Sequence, residues 1–203
     1  MKTFKARGIV LRENPVGETD KYVDLLLKGI GKLSVSARGA RKPGSKFLAG
    51  TQPFTYSDFV IYDSGKFNTM SQIDIIEGFY GLRNDYDKLC TGNYFLELCN
   101  KVIIPGEECD DLLLLLLKTL SALARDKVTP NIAARVFEVK FLQFNGYSPE
   151  LEDCNALDYI SNADFSTMFS FNATQKTLDE LKRGFETAFN YHIGIPIKSR
   201  ELI

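Results

Sequence analysis

The hydrophobic period of this chain changes once, near Gly81, and that change limits the folds open to it. Before it, apolar residues come in short runs or alternate with polar ones, as strands require. After it they recur every three to four residues, as helices require. A chain of 203 residues divided in this way reads as α+β, with a β domain over residues 1–80 and an all-α domain over 81–203.

Five short strands are predicted in the first part. Ile9-Val10-Leu11 is an apolar run. Tyr22 to Leu27 is a second, followed by a turn at Gly29-Ile30-Gly31-Lys32. Leu33 to Ala37 alternates with period two. Phe54 to Tyr62 is rich in aromatic and β-branched residues, Asp63 to Lys66 is a turn, and Phe67 to Ile76 is the fifth strand. A set of this size predicts a small closed barrel, and the five-stranded OB-fold is the commonest such answer.

The helices have readable ends. Asn84 caps the first, Asp85 and Asp87 oppose its dipole, and Pro105-Gly106 ends it. Asp110-Asp111 opens a second, whose six leucines, Leu112 to Leu117, predict burial on every side. Thr129-Pro130 opens a third, closed by Asn145-Gly146. The stretch 147–172 has no clear period and is expected to be irregular. A last amphipathic helix is predicted from about Thr174 to His192.

The net charge of −1 hides an asymmetry: residues 1–50 carry eleven Lys/Arg against four Asp/Glu (+7), and the remainder carries 14 against 22 (−8). That split suggests a module facing a polyanion, joined to something else. The start of the chain has no apolar leader, and Leu112 to Leu117, the longest aliphatic run, is too short to span a bilayer. A cytoplasmic protein with no membrane role is expected. Cys90, Cys99, Cys109 and Cys154 form no C-x-x-C pair and are read as reduced thiols.

Catalytic signatures are missing. His192 is the sole histidine, placed where it complements a helix dipole, with no nucleophile or base motif nearby. Glu107-Glu108 and Asp110-Asp111 stand at the entry to the leucine helix and read as solvated carboxylates. Gly39-Ala40-Arg41-Lys42-Pro43-Gly44-Ser45-Lys46 superficially resembles a nucleotide loop, but a P-loop needs Gly-Lys-Ser/Thr and a long helix after it; here the order is Gly-Ser-Lys. No enzyme, cofactor or metal is expected.

The same loop suits nucleic acid better. Arg38, Arg41, Lys42 and Lys46 cluster around two glycines that let a backbone approach phosphates, and Arg12 and Lys32 complete the candidate set. Tyr56, Phe59, Tyr62 and Phe67 are candidate stacking surfaces, though alternation sends every second ring into the core. Two other classes remain open: a metal-dependent nuclease with scattered carboxylates, and an interaction scaffold whose basic loop only solvates the surface.

Several segments resemble one family. Arg7-Gly8-Ile9-Val10-Leu11, Gly17-Glu18-Thr19-Asp20, Gly31-Lys32, Ala37-Arg38-Gly39-Ala40-Arg41-Lys42 with Ser45-Lys46, and Gln52-Pro53-Phe54 resemble the amino-terminal domain of RecO. Phe144 to Leu151 with Cys154 resembles the segment leading into the family's zinc site, and Lys198-Ser199-Arg200 its carboxy-terminal signature. The resemblance implies an OB-fold followed by helices and binding of single- and double-stranded DNA. It also implies annealing without ATP, and partnership with RecR and single-strand-binding protein so that RecA is loaded. Lys198 and Arg200 are nominated to receive the acidic tail of single-strand-binding protein. Zinc is not expected, because no cysteine follows Cys154.

Overall fold

The computed structural model describes residues 2–151 and 154–203, so that Met1, Glu152 and Asp153 lie outside the described residues. Five strands come first: β1 (Lys2–Val16), β2 (Asp20–Leu27), β3 (Gly31–Ala37), β4 (Tyr56–Asp63) and β5 (Asn68–Glu77). They close into a barrel in the order β1-β2-β3-β5-β4, the strand order of an OB-fold, with β1 also paired to β4. Every pairing is antiparallel except β3 with β5, which meet in parallel at Ser36 and Thr69. The interior is filled by Val10, Val23, Leu25, Val35, Phe59, Ile61, Met70 and their neighbours. A four-residue helix, α1 (Phe47–Gly50), lies in the connection between β3 and β4.

The first strand is far longer than its apolar run, because its polar ends still pair: Lys2 with Asp63 on one side and Val16 with Asp20 on the other. The run Ile9-Val10-Leu11 is buried for two reasons: Val10 lies in the barrel interior, and Ile9, paired with Leu26 on the outward side, is covered there. A register shift between Val10 and Arg12 leaves Leu11, also buried, without a partner in the β1–β2 ladder.

The chain forms two compact units. The first takes the chain up to Phe79 together with Leu96–Leu113; the second comprises Tyr80–Phe95 and Leu114–Ile203. Within the first unit, Gly31 lies so close to the main chain of Glu107 that a Cβ would meet the Glu107 carbonyl oxygen at 1.9 Å, and its φ of +83° also calls for glycine. The Gly106 N–H donates to the Lys32 carbonyl at 3.1 Å, and the Gly29 N–H donates to Asp110 at 2.7 Å.

The remaining helices are α2 (Tyr86–Val102), α3 (Asp110–Ala124), α4 (Pro130–Phe144), α5 (Asn155–Asn162) and α6 (Gln175–His192). Thr129 and Thr174 cap α4 and α6 by accepting from Ile132 and Thr177. Two expectations need correction. The leucine helix α3 is not buried all round, for Leu114 is 38% exposed. The helix buried on every side is α4, from Ala133 through Leu142. Nor is 147–172 wholly irregular: it contains α5, whose buried Leu157 and Ile160 are too few to show a period in the sequence. No described helix is long and apolar enough to cross a membrane.

Candidate nucleic-acid interface

Strand register defines the outer face of the barrel. Across β1, β2 and β3 the outward residues fall in rows. Arg12 faces Asp24, which faces Ser34; Asn14 faces Tyr22, which faces Ser36; Val16 faces Asp20. Arg38, two residues beyond Ser36, continues the outward face just past the end of β3. Arg12, Tyr22, Ser34 and Arg38 are exposed, while the intervening Val23, Val35 and Ala37 are buried. The outward row at the opposite end, Ile9–Leu26–Lys32, is covered instead: Ile9 and Leu26 are fully buried.

Lys32 belongs to that covered end. Its Nζ donates to the Asn100 carbonyl near the end of α2 at 2.5 Å, and burial lowers its pKa. Six residues of strand separate it from Arg38, about 20 Å at the usual rise. The structure therefore brings Arg12, Arg38, Arg41 and Lys42 to one end of the barrel and places Lys32 at the other, bonded to the Asn100 carbonyl. Arg7, a further cation of β1, is engaged in a two-point pair with Asp58 at 2.7 and 2.8 Å.

The basic loop is held at both ends. Gly39 turns with φ +66°, and its N–H donates to Asp20 at 2.7 Å. The Arg41 N–H donates to the Thr19 carbonyl and its Nη1 to the Gly17 carbonyl, each at 2.8 Å. Lys42 and Lys46 are exposed, with the Lys46 ammonium 5.5 Å from the centre of the Phe47 ring. At the far end, Thr51 accepts at 3.3 Å from Lys21, a buried ammonium ion-paired with Glu13 inside the barrel mouth. The bulk of each candidate guanidinium and ammonium is thus left facing solvent on a loop whose backbone is fixed.

The candidate rings separate cleanly. Phe59 is core, fully buried; Tyr56 and Tyr62 are half-buried on β4; Phe67, in the turn before β5, is 65% exposed. The alternation pattern did not single out Tyr22, 39% exposed in the middle of the outward rows. Its signal was present, since it stands one position out of phase with the core residues Val23 and Leu25.

A second polar feature lies in the helical unit. Arg135 and Glu138 are each buried on α4. Glu138 accepts from Tyr94 Oη at 2.8 Å and from Arg135 Nη2 at 3.2 Å. Burial pushes the Glu138 carboxyl up to about 6, with Arg135 and Tyr94 opposing the rise. Arg135 Nε lies 3.0 Å from Glu138 Oε2 without hydrogen-bond geometry, and Nη1 makes no hydrogen bond among the described residues. Arg135 is among the residues that line a cavity of about 420 Å³, with Thr91, Asn131, Gln175 and Lys182 and with the acids Asp87 and Asp179. The Lys182 ammonium of that lining donates to the Ile203 carbonyl at 2.8 Å. Of the two C-terminal residues nominated from the sequence, Lys198 is exposed. Arg200 turns inward, 5.3 and 5.8 Å from the Phe185 and Phe189 ring centres and 3.4 Å from Glu186.

Two family models match the chain. Residues 1–79 match the family model described as recombination protein O N terminal, and residues 83–157 match recombination protein O C terminal. A DNA repair protein RecO of Acetivibrio thermocellus is 31% identical over 89% of this chain and 88% of its own length. One from Alkaliphilus metalliredigens is 37% identical over 74% of this chain, which spans 61% of that relative. One from a Thermoanaerobacter species is 31% identical over 80% of this chain and 68% of the relative. The barrel order, the basic loop at its mouth and these matches agree, and the chain belongs to the RecO family.

Proposed function

We propose that this chain is a DNA repair and recombination mediator. It binds single- and double-stranded DNA on the outer face of the barrel and anneals complementary strands without ATP. With RecR it helps load RecA onto DNA coated by single-strand-binding protein. The observation that carries this reading is the exposed end of the β1–β2–β3 face, where Arg12 and Tyr22 are exposed on the outward rows and Arg38, Arg41 and Lys42 are exposed just beyond β3. Cations there neutralise the repulsion between two phosphate chains, and a ring face accepts an unpaired base. Annealing needs no bond broken and no nucleotide, so no catalytic group is assigned.

The test is annealing of complementary oligonucleotides coated with single-strand-binding protein. Wild type is expected to accelerate it, and Tyr22→Ala to bind single strands about tenfold more weakly, within the usual worth of one stacked base. Duplex binding, which offers no unstacked base, should change less than about twofold. Equal losses on both substrates would remove Tyr22 from stacking. Failure of wild type to anneal would remove the mediator reading, and metal-dependent cleavage would replace it with a nuclease.

The Arg135 cavity favours a place for the second partner. An acidic tail that ends in a carboxylate would set that group on Arg135 and Lys182, with the apolar lining of Ala134 and Leu202 beside it. In fluorescence anisotropy with such a peptide, Arg135→Gln should weaken binding tenfold or more, on the order of one charge-assisted hydrogen bond. Lys198→Ala should stay within about twofold. The reverse ranking would return the site to the C-terminal residues.

A further inference from the structure

One of the acids on the basic face stands beside the loop. Asp20 is the outward residue at the start of β2, between Val16 of β1 and the loop that begins with Arg38. On a surface that binds a polyanion, a carboxylate there is electrostatically unfavourable. Its bonds give it another task. One oxygen, Oδ1, accepts both the Gly39 N–H at 2.7 Å and the Thr19 hydroxyl at 2.9 Å. Gly39 sits at φ +66°, so the chain reverses there, and the direction taken by Arg38 on one side and Arg41 and Lys42 on the other depends on holding that turn. The two bonds from Arg41 to Thr19 and Gly17 fasten the same loop to the same β1–β2 turn.

We propose that Asp20 is a positioning residue for DNA binding: its carboxylate pins the Gly39 turn so that Arg38, Arg41 and Lys42 present their charges together. This rests on the DNA-binding reading of the barrel face. The Gly39 N–H, then the Thr19 hydroxyl, then the charges of Arg38 and Lys42 hold the Asp20 carboxyl below the usual carboxylate range, so the clamp is ionised at neutral pH. The role makes a prediction opposite in sign to simple charge counting. If Asp20 were only a negative charge near DNA, removing it by any substitution would tighten binding. If it positions the loop, Asp20→Ala loosens the turn and weakens binding, whereas Asp20→Asn keeps an oxygen that accepts both bonds while shedding the charge.

The experiment compares wild type, Asp20→Ala and Asp20→Asn in single-stranded DNA binding between about 50 and 200 mM salt. Amide hydrogen exchange over residues 38–42 is measured on the same full chains without DNA. Asp20→Ala is expected to bind about five- to tenfold more weakly, with a shallower salt dependence because fewer phosphates are neutralised at once. Exchange over 38–42 should rise in that variant alone. Asp20→Asn should bind at least as tightly as wild type. Binding by Asp20→Ala as tight as that of Asp20→Asn would overturn the proposal, as would Asp20→Asn as weak as Asp20→Ala, or unchanged exchange in Asp20→Ala. A wild-type protein that binds no DNA would instead overturn the function on which the proposal rests, and the exchange data would still report whether Asp20 holds the turn.

Discussion

Replacing Arg38, Arg41, Lys42 and Lys46 together by alanine is expected to weaken single-stranded DNA binding by about 100-fold at low salt and to flatten its salt dependence. Each phosphate neutralised on a single strand contributes about −0.7 to the slope of log affinity against log salt, so four lost contacts should remove close to 2.8 from it. Stability should hardly change. All four side chains are exposed, and the one side-chain hydrogen bond they make among the described residues, Arg41 to the Gly17 carbonyl, is at the surface. Lys32 supplies the contrast. Its ammonium holds the Asn100 carbonyl, so Lys32→Met should lower the melting temperature and leave the salt slope within error. If the quadruple variant keeps the wild-type slope, or if Lys32→Met removes as much of it as one loop residue does, the DNA path does not run across this end of the barrel.

That contrast also marks what the sequence could carry. The five strands and the later helices were legible because buried faces impose their period on composition: Val23, Leu25, Val35 and Ala37 line the barrel interior. The grouping of Arg38, Arg41 and Lys42 was legible because they are neighbours in the chain. Lys32 was not separable from them, since charge counting is blind to which end of a strand faces solvent and which is covered. Tyr22 was hidden inside a run from Tyr22 to Leu27 in which Leu25, Leu26 and Leu27 are all buried, the pattern of a strand covered on both sides at one end. Arg135 and Glu138 were passed over inside an apolar helix. Their spacing, three apart on a helix buried on every side, is the signature of a buried pair that must satisfy itself, and it could have been read. The α5 helix, with two buried residues in eight, offered no comparable signal.

The segment that follows α4, for which no zinc is expected, should be organised by Lys140 in place of a metal. Lys140 lies on α4 with its side chain largely buried, and its Nζ donates to the Ser161 carbonyl at 3.1 Å and the Ala163 carbonyl at 2.6 Å. These carbonyls close the end of α5, where the helix dipole is negative and the last oxygens lack partners, so an ammonium satisfies two of them and the dipole together. Around this point α5 packs against α4, the Phe144 and Phe165 rings stack at 6.1 Å, and Tyr159 Oη donates to the Thr167 carbonyl at 2.8 Å. Met168 is fully buried. Cys90 and Cys99 are buried in α2, and burial pushes the Cys109 thiol up to about 11. Lys140→Met keeps the apolar stem and removes the cation, leaving two carbonyls unpaired at a cost of about 2–3 kcal/mol, discounted for partial solvent access. For a chain of this size that corresponds to a fall of roughly 5–10 °C in melting temperature. Hydrogen exchange should rise across 155–171 and stay unchanged in the barrel. Elemental analysis of wild type purified without chelator should find well under one zinc per chain, with no shift in melting temperature when a chelator is added. A stoichiometric zinc lost together with stability on chelation, or a Lys140→Met protein as stable as wild type, would show that the metal and not the lysine holds this segment.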